Sequence, residues 1–506
     1  MIGAVGAALL RALTATRAER FEQALDECAA VQRRTLARLV RATALSEYGR
    51  HFGLRSEDSI EGFQAKLPPV NYGDLQTYIA RALNGESDIL TLGRARHFEP
   101  TSGSGGGAKL IPYNGALLAS FRSLFAIWAN DLLQNTLRPH SGRVFVSVSS
   151  RQIGQSKARY DPDYLSGSLR LLLAPFLVTP DLPKAGTDAS AFRDELALAL
   201  LRCSDLEVMS VWSPTYLLVL FAHIQARRAE LAVRLPQARR RLLETQAIDW
   251  AHVWPQLQLV SCWNEAASSL PSQQLARCLP QARLQGKGLL ATEAPVTVPL
   301  VRAAGCVPLI DEVFVELEDA TGSLYLLHEA QPDRDYALII STAGGLMRYR
   351  LGDCVRVTGR WRDTPLLEFL GRVDSVCDLV GEKLDEAQVG AALRTLLPAT
   401  AYGLLVPEEA KVPANYCLIT DAGIGKLAFA LDAALCSGYR YGEARALGQL
   451  ALPQVVVLSD ARRLVHDFLI ADGMAAGDIK DAALMHRRER AARLLSQLAL
   501  KSHGVS

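Results

Sequence analysis

The stretch that decides the fold class is Thr101-Ser102-Gly103-Ser104-Gly105-Gly106-Gly107-Ala108-Lys109. Its four glycines let the backbone come close to a ligand and turn several N–H groups towards anionic oxygens. Two hydroxyls before the glycines add hydrogen-bond donors, and Lys109 adds a positive charge at the end. The pattern predicts a phosphate-binding loop, although its composition taken alone also fits a flexible surface loop.

Two well-known phosphate-binding motifs are excluded by single residues of this loop. Lys109 is followed by Leu110, whereas a Walker motif requires Ser or Thr at that position. Ala108 stands where a dinucleotide-binding fingerprint has its third glycine. The loop therefore belongs to neither the P-loop class nor the Rossmann class.

A second motif places oxygen ligands directly after an apolar segment. In the stretch Gly288-Leu289-Leu290-Ala291-Thr292-Glu293, the apolar residues predict a strand over Leu289–Thr292 that ends in a hydroxyl and a carboxylate. Mg²⁺ takes oxygen ligands and few of them from protein, so Thr292 and Glu293 suit a divalent cation and its attached phosphate. The alternative is a capped turn with no ligand.

Two further features lie towards the carboxyl end. Asp353 follows a glycine in Arg348–Asp353, a place where a carboxylate can accept both hydroxyls of a ribose, and Arg372 comes some twenty residues later. A surface salt-bridge cluster is the alternative. Lys480, in Gly477–Lys480, is by itself a solvated surface lysine.

The order of apolar segments predicts an α/β fold of layered strands and helices. We expect a large layered N-terminal domain with a β-rich subdomain over residues 1–370, and a small α+β domain over residues 371–506. A helix over 3–45, a strand over Val144–Val148 and a closing helix over 481–499 are among the predicted elements.

Bulk composition excludes several classes of protein. The 506 residues carry 55 basic and 53 acidic side chains, a balance that predicts no nucleic-acid partner. The nine cysteines never form a CxxC pair, so we expect neither a disulfide framework nor a zinc site, and a reducing cytoplasm fits best. No apolar run approaches the roughly 20 residues that cross a bilayer, so no membrane is predicted as a partner. The oligomeric state stays open.

In this order and spacing, the four features resemble the adenylate-forming enzyme superfamily. Within it they are most similar to the auxin-responsive-promoter (Gretchen Hagen) family of acyl acid amido synthetases. The resemblance extends over nearly the whole chain, through Tyr48–Gly53, Phe63–Tyr72, Trp212–Thr215, Gln285–Pro299, Gly344–Gly359, Phe369–Glu386 and Ser437–Tyr441.

The resemblance implies ATP and Mg²⁺ as cofactors and assigns the loop to the triphosphate. The residues that would bind it are Ser102, Gly103, Ser104, Gly105 and Lys109.

It also implies roles for the later motifs. Thr292 and Glu293 would meet the α-phosphate region, with Glu293 as the Mg²⁺ ligand, while Asp353 and Arg372 would lie at the ribose. Lys480 would be the mobile C-terminal lysine of the first half-reaction, which makes Lys109 and Lys480 the expected catalytic cations. Rotation of the small domain about residues near 365–372 would separate two successive reactions.

The acid is expected in an apolar pocket, for which Trp128, Trp212, Tyr216 and Trp263 are candidates, with core packing as their alternative role. The implied function is adenylation of a carboxylic acid by ATP, followed by acyl transfer to an amine or amino acid. Two other hypotheses stay open: an acyl-CoA-type ligase that passes the acyl group to a thiol, and a non-catalytic adenylate-binding protein.

Overall fold

The computed structural model describes residues 2–101, 109–146, 176–179, 189–372, 376–380, 382–409 and 413–503. The glycine-rich residues Ser102, Gly103, Ser104 and Gly105 lie outside the described residues. The chain divides into two compact units. Among the described residues, unit 1 contains 2–101, 109–142, Phe176 and 286–372. Unit 2 contains 143–146, 177–179, 189–285, 376–380, 382–409 and 413–503.

The α-helices and strands come in groups along the chain, with five α-helices before the first strand. In chain order they are α1 (Ile2–Ala24), α2 (Cys28–Thr43), α3 (Glu47–His51), α4 (Ile60–Lys66), α5 (Tyr72–Leu83), α6 (Gly115–Asn135), α7 (Ala189–Arg202), α8 (Pro214–Ala226), α9 (Arg228–Val233), α10 (Gln237–Arg240), α11 (Trp250–Val253), α12 (Ser269–Cys278), α13 (Glu386–Leu396), α14 (Leu427–Leu435), α15 (Tyr439–Ala446), α16 (Ala461–Ala471) and α17 (Arg488–His503).

The strands form separate sheets in the two units. In chain order they are β1 (His97–Pro100), β2 (Leu110–Tyr113), β3 (Arg143–Val146), β4 (Leu206–Ser210), β5 (Leu259–Ser261), β6 (Arg283–Gln285), β7 (Thr297–Leu300), β8 (Gly305–Pro308), β9 (Phe314–Glu318), β10 (Leu324–Leu326), β11 (Asp335–Ser341), β12 (Tyr349–Trp361), β13 (Thr364–Arg372), β14 (Val376–Cys377), β15 (Leu384–Asp385), β16 (Gly403–Glu408), β17 (Asn415–Thr420) and β18 (Gln454–Val457).

Unit 1 is built on an antiparallel sheet of order β10-β9-β11-β12-β13, with β1–β2 and β7–β8 as two-stranded additions. Buried residues of α2, α5 and α6 pack on this sheet in one apolar core. Helix α6 is capped by Asn114, whose side chain accepts the Leu117 N–H at 2.8 Å and donates to the Ala343 carbonyl at 2.7 Å. Among the described residues, α6 alone is long and apolar enough to span a membrane, and its apolar side chains lie in this core.

Unit 2 contains a parallel sheet of order β3-β4-β5-β6 and a mixed sheet of order β16-β17-β18. Strand β5 is buried along its whole length, as a strand of a parallel sheet covered by helices must be. Helices α7 and α8 supply apolar residues to the core around this sheet. The predicted α/β class is confirmed by this layered arrangement.

Two element predictions are wrong in detail. Residues 289–292 form no regular strand, because Ala291 and Ala294 hydrogen-bond to each other at 3.1 and 3.3 Å and close a turn. The last helix begins at Arg488 rather than at 481, since the backbone of Ala483 and Met485 instead pairs with Leu405 of β16. One change of unit falls after Arg372. The division into domains 1–370 and 371–506 stays a prediction.

Candidate functional site

The two ends of the glycine-rich loop are held together by a hairpin. Strand β1 pairs with β2 so that Pro100 lies opposite Leu110, and the Thr101 N–H donates to the Lys109 carbonyl at 2.8 Å. The Lys109 ammonium lies 5.8 Å from the centroid of the Tyr72 ring, and Tyr72 Oη accepts the Leu110 N–H at 2.9 Å. The hairpin therefore fixes where the loop leaves and re-enters the fold and where Lys109 stands.

The turn that carries Thr292 and Glu293 is fixed from both sides. Tyr113 Oη, at the end of β2, donates to the Thr292 carbonyl at 2.7 Å. Gly288 opens the turn with φ +67°, and a Cβ there would stand 2.7 Å from Thr297 Oγ1, so only glycine fits. The hairpin and the turn are thus joined directly through Tyr113.

Glu293 is a buried carboxyl with only 7% of its surface exposed. Burial raises its pKa, the Asp353 carboxylate raises it further, and the positive charges of Arg372 and Lys109 act in the opposite direction. Within the described residues, neither cation forms an ion pair with it. Four of the residues singled out by sequence, Lys109, Glu293, Asp353 and Arg372, therefore share one electrostatic environment in unit 1.

Asp353 and Arg372 face each other across the β12–β13 pair. Their Cα atoms are register partners, and Arg372 Nη1 lies 3.6 Å from Asp353 Oδ1. Gly352, with φ +82°, lies in a bulge of β12 opposite β11, a feature that re-aims the next side chain. Asp353 is buried and Arg372 is half-exposed, so the arginine can reach solvent while the carboxylate stays inside.

The arginines before Asp353 are structural. Arg348 is buried and makes a bidentate pair with Glu316 at 2.9 and 2.8 Å, and Arg350 pairs with Glu318 at 2.6 Å. Arg348 also donates to the Leu67 carbonyl at 2.6 Å, which ties the sheet to the preceding loop. The surface salt-bridge alternative for this motif is therefore wrong at Arg348, whose pair is fully buried.

Tyr349 is a site residue that sequence reasoning missed. Its hydroxyl is buried close to the Glu293 carboxylate. Burial raises its pKa, and the nearby Glu293 carboxylate raises it further. Neighbouring residues on a strand point to opposite faces, but the sequence alone does not show which face of β12 Tyr349 occupies.

Unit 2 brings together three more of the singled-out residues. The Lys480 ammonium lies 4.2 Å from the centroid of the Trp263 ring, and Trp263 lies 5.6 Å from Trp212, ring to ring. The backbone N–H of Trp263 donates to the backbone carbonyl of Trp212 at 2.8 Å. Tyr216 instead packs in the apolar core of unit 2. Trp128 belongs to unit 1, with the Lys287 ammonium 5.9 Å from its ring. Within unit 2, Trp212 and Trp263 thus lie together, while Tyr216 has a place in the core.

No group of three or more His, Cys, Asp or Glu side chains suited to a metal occurs among the described residues. Mg²⁺ needs only one or two carboxylates when substrate phosphates supply other ligands. Glu293 fits a Mg²⁺ ion. It is a buried carboxylate near that of Asp353, and it forms no ion pair among the described residues. We call Lys109, Glu293, Asp353 and Arg372 the unit 1 cluster. The cluster offers the Glu293 carboxylate to a metal ion and the positive charges of Lys109 and Arg372 to a nucleotide.

Two family models match the chain. The GH3 family N-terminal domain matches residues 17–240, and the GH3 family central domain matches residues 311–372. Curated relatives include the indole-3-acetic acid-amido synthetase GH3.8 of Oryza sativa subsp. indica, 27% identical over 76% of this chain and 72% of the relative. The probable indole-3-acetic acid-amido synthetase GH3.1 of Oryza sativa subsp. japonica is 23% identical over 91% of this chain and 88% of its own length.

Solved structures with the same fold were also found. The AtGH3.15 acyl acid amido synthetase in complex with 2,4-DB matches with a TM-score of 0.81 and 16% identity over 96% of each chain. A 2-hydroxyisobutyryl-CoA ligase in the postadenylation state matches with a TM-score of 0.56 and 15% identity over 93% of this chain and 91% of its own. At these identities the structures establish the fold alone.

Proposed function

The chain belongs to the GH3 family, and from that premise we propose that it is an acyl acid amido synthetase. It joins a carboxylic acid to an amine or amino acid at the expense of ATP, releasing pyrophosphate and AMP. The observation that carries the proposal is the convergence of Lys109, Glu293, Asp353 and Arg372 on one electrostatic environment in unit 1.

In the first half-reaction the carboxylate of the acid attacks the α-phosphate of ATP, and the bond to pyrophosphate breaks. This is an anion approaching an anion, so positive groups must balance the charge on the phosphoryl oxygens. Lys109, held at the end of the β1–β2 hairpin, supplies one such charge, and Lys480 supplies the other. Residues Ser102, Gly103, Ser104 and Gly105 bind the triphosphate through their N–H and hydroxyl groups.

Asp353 binds the ribose of the nucleotide. Its carboxylate is buried with Arg372 Nη1 3.6 Å away, and a carboxylate can accept both hydroxyls of a ribose. Thr292 lies beside Glu293 at the α-phosphate on a turn that Tyr113 anchors.

Glu293 is the protein ligand of Mg²⁺, which balances phosphate charge when it is bound. The raised pKa of Glu293 means that the carboxyl holds its proton more tightly than an exposed glutamate. Adenylation is therefore expected to weaken as pH falls into the range in which Glu293 protonates, and to recover as it ionises.

In the second half-reaction the amine attacks the acyl carbon of the acyl-adenylate, AMP leaves, and one proton is released. The acid lies in an apolar pocket, for which Trp128 of unit 1 and Trp212 of unit 2 stay alternative candidates. We propose a cytoplasmic location as well, since none of the nine cysteines forms a disulfide.

A direct test incubates the purified protein with ATP, Mg²⁺ and a panel of aryl, indolyl and fatty acids. Pyrophosphate release and a hydroxamate formed on addition of hydroxylamine report the first half-reaction. A panel of amino acids, with the product mass measured, reports the second. Absence of pyrophosphate across the whole panel would overturn the proposal.

A thiol acceptor is the second candidate, and the shared fold with a CoA ligase is the observation that favours it. Parallel reactions with coenzyme A and with amino acids separate the two, because a thioester and an amide differ in mass. Formation of a thioester and of no amide would replace the acceptor but keep the adenylation step.

A further inference from the structure

The segment that carries Lys480 is fixed at both ends. Ile479 is buried in the core formed with α16 and α17. After the lysine, the Ala483 carbonyl accepts the Leu405 N–H at 2.8 Å and the Met485 N–H donates to the Leu405 carbonyl at 2.9 Å. The backbone at Lys480 therefore has little freedom, and its side chain reaches only what lies near that point.

Two carboxylates brace the same segment. Asp481, next to the lysine, pairs with Arg462 of α16 at 3.0 Å. Glu386, the first residue of α13, accepts the Ala483 N–H at 3.1 Å. Burial raises the pKa of Glu386, and the positive charge of Lys480 acts to lower it, so the ammonium and this carboxylate attract each other.

The ammonium itself lies over an aromatic face. Lys480 is an exposed residue, yet its Nζ stands 4.2 Å from the centroid of the Trp263 ring, well inside the range of a cation–π contact. The Trp263 backbone is held in turn by the Trp212 carbonyl at 2.8 Å. A long flexible side chain is thus held against a ring face, within the electrostatic influence of Glu386.

We propose that Trp263 and Glu386 are positioning residues for Lys480, an inference that rests on the function proposed above. They hold the ammonium in one place before the first half-reaction, so the loss of side-chain freedom is not incurred at the moment of reaction. Trp263 acts through the lysine and not by contact with the acid. Glu386 acts through its charge, while its hydrogen bond to Ala483 holds the segment.

The size of the expected change in kcat follows from the exposure of the contact between Lys480 and the Trp263 ring. An exposed cation–π contact corresponds to roughly a two- to fivefold change in rate. Trp263→Leu should lower kcat for pyrophosphate release by about that factor, with the KM for the acid unchanged. Trp263→Phe and Trp263→Tyr keep a ring face and should stay within about twofold of wild type. Glu386→Gln keeps an acceptor for the Ala483 N–H and removes the charge, and should lower kcat by a similar two- to fivefold.

The experiment is a double-mutant cycle through Lys480. Pyrophosphate release and hydroxamate formation are measured for wild type, Trp263→Leu, Glu386→Gln and Lys480→Ala, and for each of the first two combined with Lys480→Ala. If Trp263 and Glu386 act through the lysine, neither substitution lowers the residual rate further once Lys480 is absent. Amide formation from a chemically prepared acyl-adenylate serves as a second readout and should not change in either variant.

Trp250→Leu is the matched control, because Trp250 is a buried tryptophan of the same unit that stacks on Phe221 with ring centroids 4.2 Å apart. It should lower the melting temperature without a selective loss of the first half-reaction. The positioning role is overturned if Trp263→Leu leaves kcat unchanged, if it raises only the KM for the acid, or if it lowers the rate equally in the Lys480→Ala background. Absence of pyrophosphate from the wild-type protein would instead refute the proposed function.

Discussion

Replacing Glu293 by glutamine should make the ligand-free protein more stable while it abolishes most of the activity. The carboxyl is 7% exposed, lies near the Asp353 carboxylate, and forms no ion pair among the described residues. Its own backbone N–H favours the ionised form, but the cost of burial is larger, and a buried polar group whose partners compensate it incompletely costs roughly 1–3 kcal/mol. An amide of the same shape avoids the charge, so a gain of about 1 kcal/mol in the free energy of unfolding is expected.

This gain should depend on pH with a definite sign. The pKa of Glu293 is raised above its ordinary value of 4.5 in the folded protein, with burial as the main cause. Its contribution to stability is therefore present below 4.5 and is lost as pH rises through the raised value. The advantage of Glu293→Gln over wild type should be small near pH 4.5 and should grow towards neutrality.

The activity of Glu293→Gln should fall although its stability rises. Loss of the carboxylate removes the protein ligand for Mg²⁺, and such losses reduce metal affinity or rate by roughly 10- to 100-fold. Pyrophosphate release measured over a Mg²⁺ series should show a higher requirement for the metal and a lower kcat/KM for ATP. Greater stability with lower activity is the expected signature of a site whose charge is kept for function.

The assay is thermal melting of wild type and Glu293→Gln without ligand, at about pH 5 and at about pH 7.5, with an expected rise in Tm of about 2–4 °C at the higher pH. Glu316→Gln is the matched control, since Glu316 is also buried in unit 1 but pairs with Arg348 at 2.8 Å. Breaking that pair leaves a buried arginine alone and should lower stability by about 3–5 kcal/mol. A Tm for Glu293→Gln that is lower than that of wild type at both pH values would show that the buried carboxyl does not destabilise the ligand-free protein.

Three further predictions concern single side chains. Asp353→Asn should raise the KM for ATP by about 10- to 100-fold through weaker bonds to the ribose, with the KM for the acid unchanged in steady-state kinetics. Lys109→Met should lower kcat/KM for ATP by about 10- to 100-fold, and a nucleotide-binding titration should show the same loss without acid. His466 is buried, and burial lowers its pKa from 6.5 to about 4, so wild type should lose stability as pH falls through that range. His466→Phe should remove up to about 3 kcal/mol of this loss, which a melting series against pH measures.

The α/β class and most element positions could be predicted because they depend on local periodicity. The apolar pattern predicts a helix over Glu386–Leu397 and a strand over Tyr416–Thr420. Helix α13 and strand β17 lie within one residue of these bounds, since their apolar residues recur at the spacing of helix and strand. The segment at Thr292 and Glu293 was expected as a strand end but is a turn. Its conformation depends on Gly288 and on Tyr113, which is distant in sequence.

The charged residues of the unit 1 cluster could be predicted from the sequence, but the residues that contact them could not. Tyr349 was missed because only the β12 register shows which face it occupies. For the same reason the partner of Lys480 could not be identified, as Trp263 lies far away along the chain and meets it only through packing within unit 2. The placing of Trp128 in unit 1, apart from Trp212 and Trp263 in unit 2, also depends on tertiary structure.

The most direct test of the proposed function is a screen of acids against amino acids with ATP and Mg²⁺, read by mass spectrometry. We predict at least one amide product that appears with equal amounts of AMP and pyrophosphate and that falls by roughly 10- to 100-fold in Glu293→Gln. ATP binding without pyrophosphate release for any acid in the panel would contradict it.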